Sequence, residues 1–385
     1  MKLLRNPLLY RILHFVEILL QPIWKYIFQY TEKFKLISPS RLESGSVAID
    51  VTYEFTSSKF RGIGNYSRWF LTVLQEKFPE LIYIAHVGQE VVILKPTGHV
   101  NNESFEVVTK FSDIHAVAHL KKINLCIFLS PFEEEIKSLR IENLQSWIVL
   151  YDLIPLYRPW QFKSISKYAR YIKKVFQIRS LRVLTISKKT QKDLLYLFPE
   201  HAFNLSIPIE YLPANRGSLN SSFVTKDSFL VFVSKDPRKN TLKVIQAWDS
   251  MKFSKPCKLY LVGEMQMLNS TWHKLLQKNT TMTYIPNPSS SELDEIFKQC
   301  EYIIAPSLDE GLGLPLIEGA LLGKKMIYSS IPSHLELVEK GGIPFNPKSK
   351  RDLLAVFDII NNGFEIEPLI LKDHSREMAE FLSAL

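Results

Sequence analysis

Cysteines and long apolar runs are both scarce in this sequence of 385 residues. The three cysteines, Cys126, Cys257 and Cys300, lie far apart, and their number and spacing exclude a disulfide framework and a CxxC-type metal site. Arg11 and Lys25 interrupt the apolar N-terminal segment, so no run reaches the length of a transmembrane helix. No short apolar region precedes a small-residue cleavage site, and we therefore expect no removable secretory signal. These absences favour a protein of a reducing compartment.

Positive charge is unevenly distributed along the chain. The formal net charge is +9, and residues 1–41 carry seven Lys or Arg against two Glu, which leaves +4 for the rest. The same segment contains aromatic residues such as Tyr10 and Trp24. We therefore predict amphipathic helices that lie on an anionic membrane surface; packing on the protein's own surface or on a second subunit also fits the pattern. A nucleic-acid-binding protein is disfavoured because the remaining chain is nearly neutral.

Short apolar runs alternate with helical patterns from about residue 42 onward, which predicts an α/β fold with parallel sheets. The predicted strands are 47–51, 82–87, 123–129, 147–151 and 183–186, then 229–233, 258–262, 302–305 and 326–328. Each strand of the first series is followed by a helix-compatible stretch, and helical patterns at 241–251 and 291–298 lie between strands of the second series. A Gly-, Asn- and Ser-rich segment at 213–222 predicts a linker. We therefore expect domains at 42–214 and 215–370, with a C-terminal helix at 371–385 that packs back on the first domain.

The stretch 305–318, APSLDEGLGLPLIE, is the most informative part of the sequence. A strand ends at Ala305, Pro315 is placed to begin a helix, and Gly323 is placed to end it. Glu310 then lies in the loop and Glu318 in the first helical turn, where both carboxylates can face one ligand. The alternative for each glutamate alone is a solvated loop residue or a helix-dipole partner. Backbone N–H groups in the same loop can bind an oxygen-rich ligand: those of Gly311, Leu312, Gly313 and Leu314.

The stretch 233–240, VSKDPRKN, also follows a predicted strand and precedes a predicted helix. Arg238 and Lys239 therefore stand at a helix N-terminus, where fixed cations and N–H groups stabilise a departing diphosphate. An exposed basic turn is the alternative.

The two motifs together resemble glycosyltransferase family 4. Two acids separated by seven residues in a strand-loop-helix setting are the hallmark of that family. The resemblance implies the GT-B fold, in which two Rossmann-like domains face a central cleft, and it implies that Glu310 lies beside the donor sugar while Glu318 holds the nucleotide ribose. Lys239 matches the family's lysine. Lys235 is the nearest candidate for its arginine, although Ser234 stands where glycine is usual and the loop is one residue short.

A Gly-rich stretch in the first half, 61–68, resembles the family's loop after the first strand. The resemblance implies that the backbone at Gly62 and Gly64 approaches the donor phosphates and the acceptor. A nicotinamide-binding site is the alternative, but it requires glycines directly after the strand and an acid some twenty residues further on. Roughly ten residues separate Val51 from Gly62, and no acid stands near position 84, so a dehydrogenase is disfavoured.

Polar residues also follow other predicted strands of the first half, at 130–132 and 151–155. Tyr151 stands where many relatives have histidine, so it is a candidate for positioning substrate on the acceptor side or for core packing. Asp152 is placed to orient a sugar hydroxyl in the reaction or to cap a helix. Ser187 is placed to begin a helix, in a loop that the family uses near the acceptor.

The resemblance implies a retaining glycosyltransferase that moves a hexose, with mannose as a candidate, from a nucleotide-diphosphate sugar to a glycan or lipid-linked acceptor in surface polysaccharide or glycoconjugate biosynthesis. The diphosphate departs toward Arg238 and Lys239 while its oxygen receives the acceptor's proton. We expect no metal and no cofactor besides the donor, because the cations replace a metal and no suitable DxD motif is present. Similarity of 151–155 to a bacterial subgroup favours GDP-sugars over UDP-sugars.

The expected location is the cytoplasmic face of the plasma membrane, with peripheral attachment through residues 1–41. The expected partners are a nucleotide sugar, a glycan or lipid-linked acceptor and an anionic membrane, without nucleic acid; a homo-oligomer is compatible with the sequence. The main alternative is a catalytically silent relative that binds a glycan or a partner protein.

Overall fold

The computed structural model describes most of the chain. The described residues are 46–55, 62–87, 90–96, 105–111, 117, 122–129, 145–158, 172, 175, 181–199, 205–206, 224–234, 236–264, 275–374 and 382. The predicted segment 1–41, the linker at 213–222, Lys235, the stretch 130–132 and most of the predicted C-terminal helix lie outside them. The chain divides into two compact units, Met1–Glu210 with His374–Leu385, and Tyr211–Asp373. No helix within the described ranges is long and apolar enough to span a bilayer.

The first unit contains an eight-stranded sheet. Its strands are β1 Ser46–Asp50, β2 Ile82–Val87, β3 Glu90–Pro96, β4 Phe105–Phe111, β5 Ile123–Phe128, β6 Gln145–Leu150, β7 Leu181–Thr185 and β8 Leu205–Ser206. They lie in the order β4-β3-β2-β1-β5-β6-β7-β8. In that order, the pairs β2-β1, β1-β5, β5-β6, β6-β7 and β7-β8 are all parallel. The described helices are α1 Gly62–Lys77, α2 Ile154–Tyr157 and α3 Lys188–Leu197.

One edge of this sheet differs from the prediction. We expected a helix-compatible stretch after β2, but the chain forms β3 antiparallel to β2 and then β4 antiparallel to β3. β3 contains the β-branched run Val91, Val92 and Ile93, which favours an extended chain, and it completes its hydrogen bonds by pairing on both sides. The sheet is therefore mixed at this edge and parallel elsewhere.

The second unit contains a six-stranded parallel sheet and a separate two-stranded one. The larger sheet is built from β9 Thr225–Phe232, β10 Lys258–Val262, β11 Met282–Ile285, β12 Cys300–Ala305, β13 Lys325–Ser329 and β15 Ile343–Phe345; the short strands β14 Val338–Lys340 and β16 Ile370–Leu371 pair with each other. The larger sheet has the order β11-β10-β9-β12-β13-β15. This is the doubly wound order of a Rossmann domain, which reverses direction between β9 and β12.

Five described helices accompany this sheet, and local signals set their ends. They are α4 Thr241–Ser250, α5 Ser290–Gln299, α6 Leu314–Leu321, α7 Pro332–Leu337 and α8 Lys350–Asn361. Ser289 and Glu292 form a capping box at the start of α5. Gly323 has a φ of 64° and follows α6, and Lys324 N–H donates to the Gly319 carbonyl at 2.9 Å. The prediction that Gly323 ends this helix is confirmed.

An aromatic cluster holds α4 and α8 against the sheet. The ring of Phe229 stacks on Tyr302 at a centroid distance of 4.5 Å and meets Trp248 edge-on at 5.1 Å. Phe357 of α8 completes the cluster at 6.0 Å from Phe229. Each aromatic ring buries a large apolar area, so this packing holds α4 and α8 against β9 and β12.

Candidate active site

The candidate site forms where two loops leave neighbouring strands. β9 and β12 pair in parallel, so the chain leaves both at the same edge of the sheet. After β9 the chain makes a 3-10 turn at Pro237–Lys239 and enters α4. After β12 it makes a loop and enters α6. The reversal of strand order between β9 and β12 places these loops where open α/β sheets bind ligands.

Backbone and amide contacts tie the two loops together. The Arg238 carbonyl accepts a hydrogen bond from Leu308 N–H at 2.7 Å. Asn240 adopts a left-handed conformation with φ 53°, and its side-chain amide donates to the carbonyls of Pro306 at 3.0 Å and Pro347 at 2.9 Å. Short amide side chains tolerate this conformation better than most residues. Asn240 was not singled out in the sequence, and it fixes the distance between the motifs.

Lys239 and Glu310, predicted from separate motifs, meet in this arrangement. Lys239 Nζ lies 2.6 Å from Glu310 Oε1, and Ser307 Oγ donates to the same oxygen at 2.6 Å. The side chains of Lys239 and Glu310 are 28% and 13% exposed. Ser307 was missed in the sequence, although its position three residues before the predicted acid is a usable signal.

The charge of Glu310 is held by its neighbours. Burial alone would raise its pKa, but the charges of Lys239 and Arg238 and the hydrogen bonds from Lys239 and Ser307 outweigh burial and lower the pKa to about 2. The group is therefore an ionised carboxylate at neutral pH, able to accept hydrogen bonds from hydroxyl groups.

Arg238 is held beside this pair by Asp236. Arg238 donates from Nε at 2.8 Å and from Nη2 at 2.6 Å to Asp236 Oδ2. Asp236 Oδ1 also accepts the backbone N–H of Arg238 at 2.9 Å. Asp236 thus orients the guanidinium and begins the turn. The signal for it in the sequence is an acid two residues before the cation.

These groups line an open pocket at the ends of β9 and β12. Apolar residues and polar groups share its wall; the lining residues are Phe232, Lys239, Ile304, Ala305, Pro306, Ser307, Glu310, Pro315 and His334. There the Lys239 and Ser307 side chains both donate to the Glu310 carboxylate. Such a combination of apolar wall and convergent polar groups is typical of a small-molecule site.

The helix after the loop begins one residue earlier than predicted. Gly313 has a φ of 112° and precedes α6, which starts at Leu314 and has Pro315 at its second position. The prediction that Glu318 lies in the first turn is therefore wrong, because the left-handed glycine ends the loop earlier and moves Glu318 into the second turn. Glu318 is half-buried and is not among the described residues that line the pocket. Gly311, Leu312 and Gly313 are buried and Leu314 is half-buried.

The Gly-rich stretch of the first unit is a helix and not a loop. α1 begins at Gly62, so Gly62 and Gly64 both lie in its first turn, and the prediction of a loop here is wrong at these two residues. The buried residues Tyr66, Phe70 and Leu74 recur every four positions along α1, so burial of this helical face outweighs the cost of about 1 kcal/mol for each glycine.

The acceptor-side candidates follow the adjacent strands β6 and β7 of the first unit. Tyr151 donates from its hydroxyl to the Leu129 carbonyl at 2.7 Å and lies 2.8 Å from Ser67 Oγ, so its buried ring is packed by the core. Ser187 caps α3 by accepting from Thr190 N–H at 3.0 Å. Its Oγ also donates to Thr190 Oγ1, which in turn donates to the Tyr151 carbonyl.

Asp152, a predicted catalytic residue, caps the turn that follows β6. Its Oδ1 accepts the backbone N–H of Ile154 at 3.0 Å, at the start of α2. The N-cap of α2 is Leu153, without a side-chain cap, so Asp152 closes the turn before the helix and does not occupy the cap position. Across the described ranges, no group of three or more His, Cys, Asp or Glu is placed to hold a metal ion.

A family comparison agrees with this geometry. Residues 220–360 match the model described as glycosyl transferases group 1. This segment covers the doubly wound sheet and every residue that lines the pocket.

Curated proteins with similar sequences are bacterial mannosyltransferases. The serotype-specific mannosyltransferase WbdA of Escherichia coli is 24% identical over 244 residues, which is 57% of this chain and 30% of WbdA. The O-antigen chain mannosyltransferase RfbU of Salmonella typhimurium is 26% identical over 211 residues, which is 53% of this chain and 57% of RfbU. The chain therefore matches less than two thirds of the length of either relative.

Among solved structures, sucrose-phosphate synthase of Thermosynechococcus elongatus has a similar fold. The TM-score is 0.59 at 13% identity, and the match covers 83% of this chain and 90% of that one. The fold is GT-B, and the pocket lies in the domain that matches glycosyl transferases group 1. Residues 220–360 are thus similar to glycosyl transferases group 1, and the chain is similar in sequence to bacterial mannosyltransferases.

Proposed function

We propose that the protein is a retaining glycosyltransferase that moves mannose from GDP-mannose to a glycan or lipid-linked acceptor in the synthesis of a bacterial surface polysaccharide. The observation that carries this proposal is the Lys239–Glu310 pair at the point where strand order reverses. A cation for the leaving diphosphate and a carboxylate for sugar hydroxyls stand there 2.6 Å apart.

The chemical requirement of the reaction matches these groups. The bond between the anomeric carbon and the diphosphate oxygen breaks, and negative charge accumulates on the leaving group. Lys239 has three N–H donors, one of which binds Glu310, and fixed cations stabilise developing charge because they need no reorganisation during the reaction. Arg238, oriented by Asp236, adds a second positive charge.

The acceptor hydroxyl attacks the anomeric carbon from the face that the diphosphate leaves. Its proton passes to the departing diphosphate oxygen, so the new bond has the anomeric configuration of the old one. Glu310 is ionised and accepts hydrogen bonds from donor hydroxyls, which orients the sugar. In this proposal Glu318 holds the ribose and the N–H groups of 311–314 bind the phosphates; Tyr151, Asp152 and Ser187 serve the acceptor side.

The choice of mannose and GDP rests on the relatives. WbdA and RfbU are mannosyltransferases by name, and the segment 151–155 resembles the same bacterial subgroup. No metal and no further cofactor are part of the proposal, since Lys239 and Arg238 supply the positive charge.

Ligand-induced stabilisation tests the donor. GDP-mannose, UDP-glucose and a dTDP-sugar are added separately while thermal unfolding is followed. A donor at about a hundred times its Kd stabilises the folded state by about 2.7 kcal/mol, and we expect this for GDP-mannose. Stabilisation by the UDP-sugar alone would contradict the choice of base.

Turnover distinguishes an enzyme from a silent relative. Release of GDP from GDP-mannose, with and without added glycan acceptor, is followed by coupled assay. Binding of the donor without any hydrolysis or transfer would favour the glycan- or partner-binding alternative.

Peripheral attachment to the cytoplasmic face of the plasma membrane is part of the proposal and rests on the composition of residues 1–41. Sedimentation with vesicles of anionic and of neutral lipid tests it. Binding that requires anionic lipid and weakens with salt is expected. Equal distribution with both lipids would favour packing of the segment on the protein itself or on a second subunit.

A further inference from the structure

His334 is a buried residue of the pocket to which the proposed reaction gives no role. It lies on α7, which follows β13, the neighbour of β12 in the sheet. Its side chain is 1% exposed, and it lines the same pocket as Lys239, Ser307 and Glu310. A polar ring in this position requires a chemical explanation, because burying a polar atom without a hydrogen bond is unfavourable.

One ring nitrogen of His334 has a fixed partner. Nδ1 lies 3.1 Å from the Ser329 carbonyl oxygen and 3.2 Å from Ser329 Oγ. A carbonyl oxygen only accepts hydrogen bonds, so the proton of the neutral ring resides on Nδ1. Nε2 of this tautomer carries a lone pair and is an acceptor.

The ring stays neutral under ordinary conditions. Burial lowers the pKa of His334 to about 4, although Glu310 and the Ser329 carbonyl act in the opposite direction; Lys239 adds to the lowering. The acceptor at Nε2 is therefore present throughout the neutral pH range. Glu310 and Lys239 are also the charged groups that share the pocket with this ring.

The second nitrogen lies against the loop that begins α6. A β-carbon built on Gly313 would lie 2.8 Å from Nε2 and 2.6 Å from Cδ2, so this edge of the ring packs on the bare α-carbon of the glycine. Among the described residues, Nε2 has no hydrogen-bond partner. The ring is thus held by Ser329 at one end, while its acceptor end lies in the wall that contains Glu310 and Pro315.

We propose that Nε2 of His334 accepts a hydrogen bond from one hydroxyl of the transferred sugar and so takes part in selecting that sugar. This inference rests on the proposed function. A sugar hydroxyl supplies the donor that Nε2 lacks. Lys239, the other nitrogen group of the pocket, donates to Glu310 and cannot accept a hydrogen bond from the sugar. A site built to bind a hydroxyl rejects an analogue without it, since its own polar group is then left unpaired.

Two variants separate the acceptor from the rest of the ring. His334→Asn keeps an N–H group close to the position of Nδ1, facing Ser329, and removes the acceptor at Nε2. His334→Gln extends an amide oxygen toward the position of Nε2. Thermal unfolding establishes that each variant is folded, and titration with GDP alone should give a Kd within about twofold of the wild type, because GDP lacks the sugar.

Kinetics with modified donors provide the test. kcat/KM is measured for GDP-mannose and for its 2-, 3-, 4- and 6-deoxyfluoro analogues, in which a hydroxyl loses its ability to donate. We expect wild-type protein to discriminate against one analogue by roughly 10- to 100-fold. His334→Asn should lose that discrimination while keeping the others, and His334→Gln should recover part of it. Comparing variant with wild type cancels the effect of fluorine on bond cleavage.

Two results would overturn the inference. The first is a His334→Asn variant with the wild-type ranking of all analogues, whether its activity is lower or unchanged; His334 would then serve packing alone. The second is a wild-type protein that transfers from no nucleotide sugar, which refutes the proposed function and the inference with it. Wild-type turnover with unchanged ranking in both variants refutes the inference alone.

Discussion

Replacing Lys239 by methionine removes one charge from the candidate site and keeps much of the side chain's apolar length. Glu310 then loses the cation 2.6 Å from its Oε1, while Ser307 and the more distant Arg238 remain. The variant therefore tests whether this pair stabilises the fold, assists the reaction, or does both.

The effect on stability follows from the pKa of Glu310. The value falls from 4.5 to about 2 in the folded protein, which corresponds to about 3 kcal/mol of stabilisation at neutral pH. Lys239 is the largest favourable contributor to that shift. We expect Lys239→Met to lower the free energy of unfolding by about 2 to 3 kcal/mol, in agreement with the effect of breaking a partly buried pair.

The effect on activity is expected to be larger. Removing one preorganised group that stabilises transition-state charge lowers turnover by about 10²- to 10³-fold. Urea denaturation measures the first effect, and release of GDP from GDP-mannose measures the second, at a temperature where the variant remains folded.

The Lys325–Glu301 pair provides a matched control. Its Nζ–Oε1 distance is 2.7 Å and its side chains are 23% and 16% exposed. Both residues lie at the amino ends of β13 and β12, at the edge of the sheet opposite the pocket. Lys325→Met should lower stability without lowering turnover by more than about twofold.

A double variant separates charge pairing from catalysis. Lys239→Met with Glu310→Gln leaves no unpaired charge, so stability should recover while turnover stays low. Turnover within a few-fold of wild type in Lys239→Met would refute the role of this cation, and an equal loss in Lys325→Met would attribute the defect to stability.

Three further predictions concern the surrounding residues. The pKa of His334 is about 4 in the folded protein and 6.5 in an ordinary histidine. Its contribution to the free energy of unfolding is therefore present above pH 6.5 and is lost as the pH falls to 4. His334→Asn should remove about 3 kcal/mol of this pH dependence, measured by urea denaturation at both pH values. Gly313→Ala should displace the His334 ring and lower kcat/KM for the donor, whereas Gly323→Ala, which has a positive φ but nothing within 4 Å of the added carbon, should lower stability by about 1 to 2 kcal/mol without affecting kcat/KM. Asn240→Gly keeps backbone freedom and removes the amide bonds to Pro306 and Pro347, so we expect a loss of about 1 to 3 kcal/mol and reduced turnover; unchanged values would show that the two loops do not need this tie.

The strands of the second unit were predictable because their signals are local. The runs at 229–233, 258–262 and 302–305 are apolar and bounded by polar segments, and each lies within an observed strand or extends it by one residue. The helix ends at Ser289 and Gly323 also have local causes, a capping box and a left-handed glycine. Tertiary contacts were not needed to recognise any of these features.

The edge of the first sheet was not predictable in the same way. β3 and β4 pair antiparallel with β2 and with each other, and pairing partners are not a property of either segment alone. At Gly62 and Gly64 the prediction was a loop and the observed element is a helix. Two glycines in one short stretch indicate a loop on composition, whereas the chain places them in the first turn of α1, whose apolar face is buried.

The sequence by itself determined the chemical groups of the site: a cationic turn after one strand, and two acids around a glycine-rich loop after another. The tertiary structure alone decided that β9 and β12 are neighbours, which brings Lys239 to Glu310 across 71 residues of chain. It also decided that Glu318 lies in the second turn of α6 and that His334 lines the pocket. The physical reason is that local propensity acts over a few residues, whereas charge pairing, burial and the protonation of a ring nitrogen depend on atoms that only folding brings together.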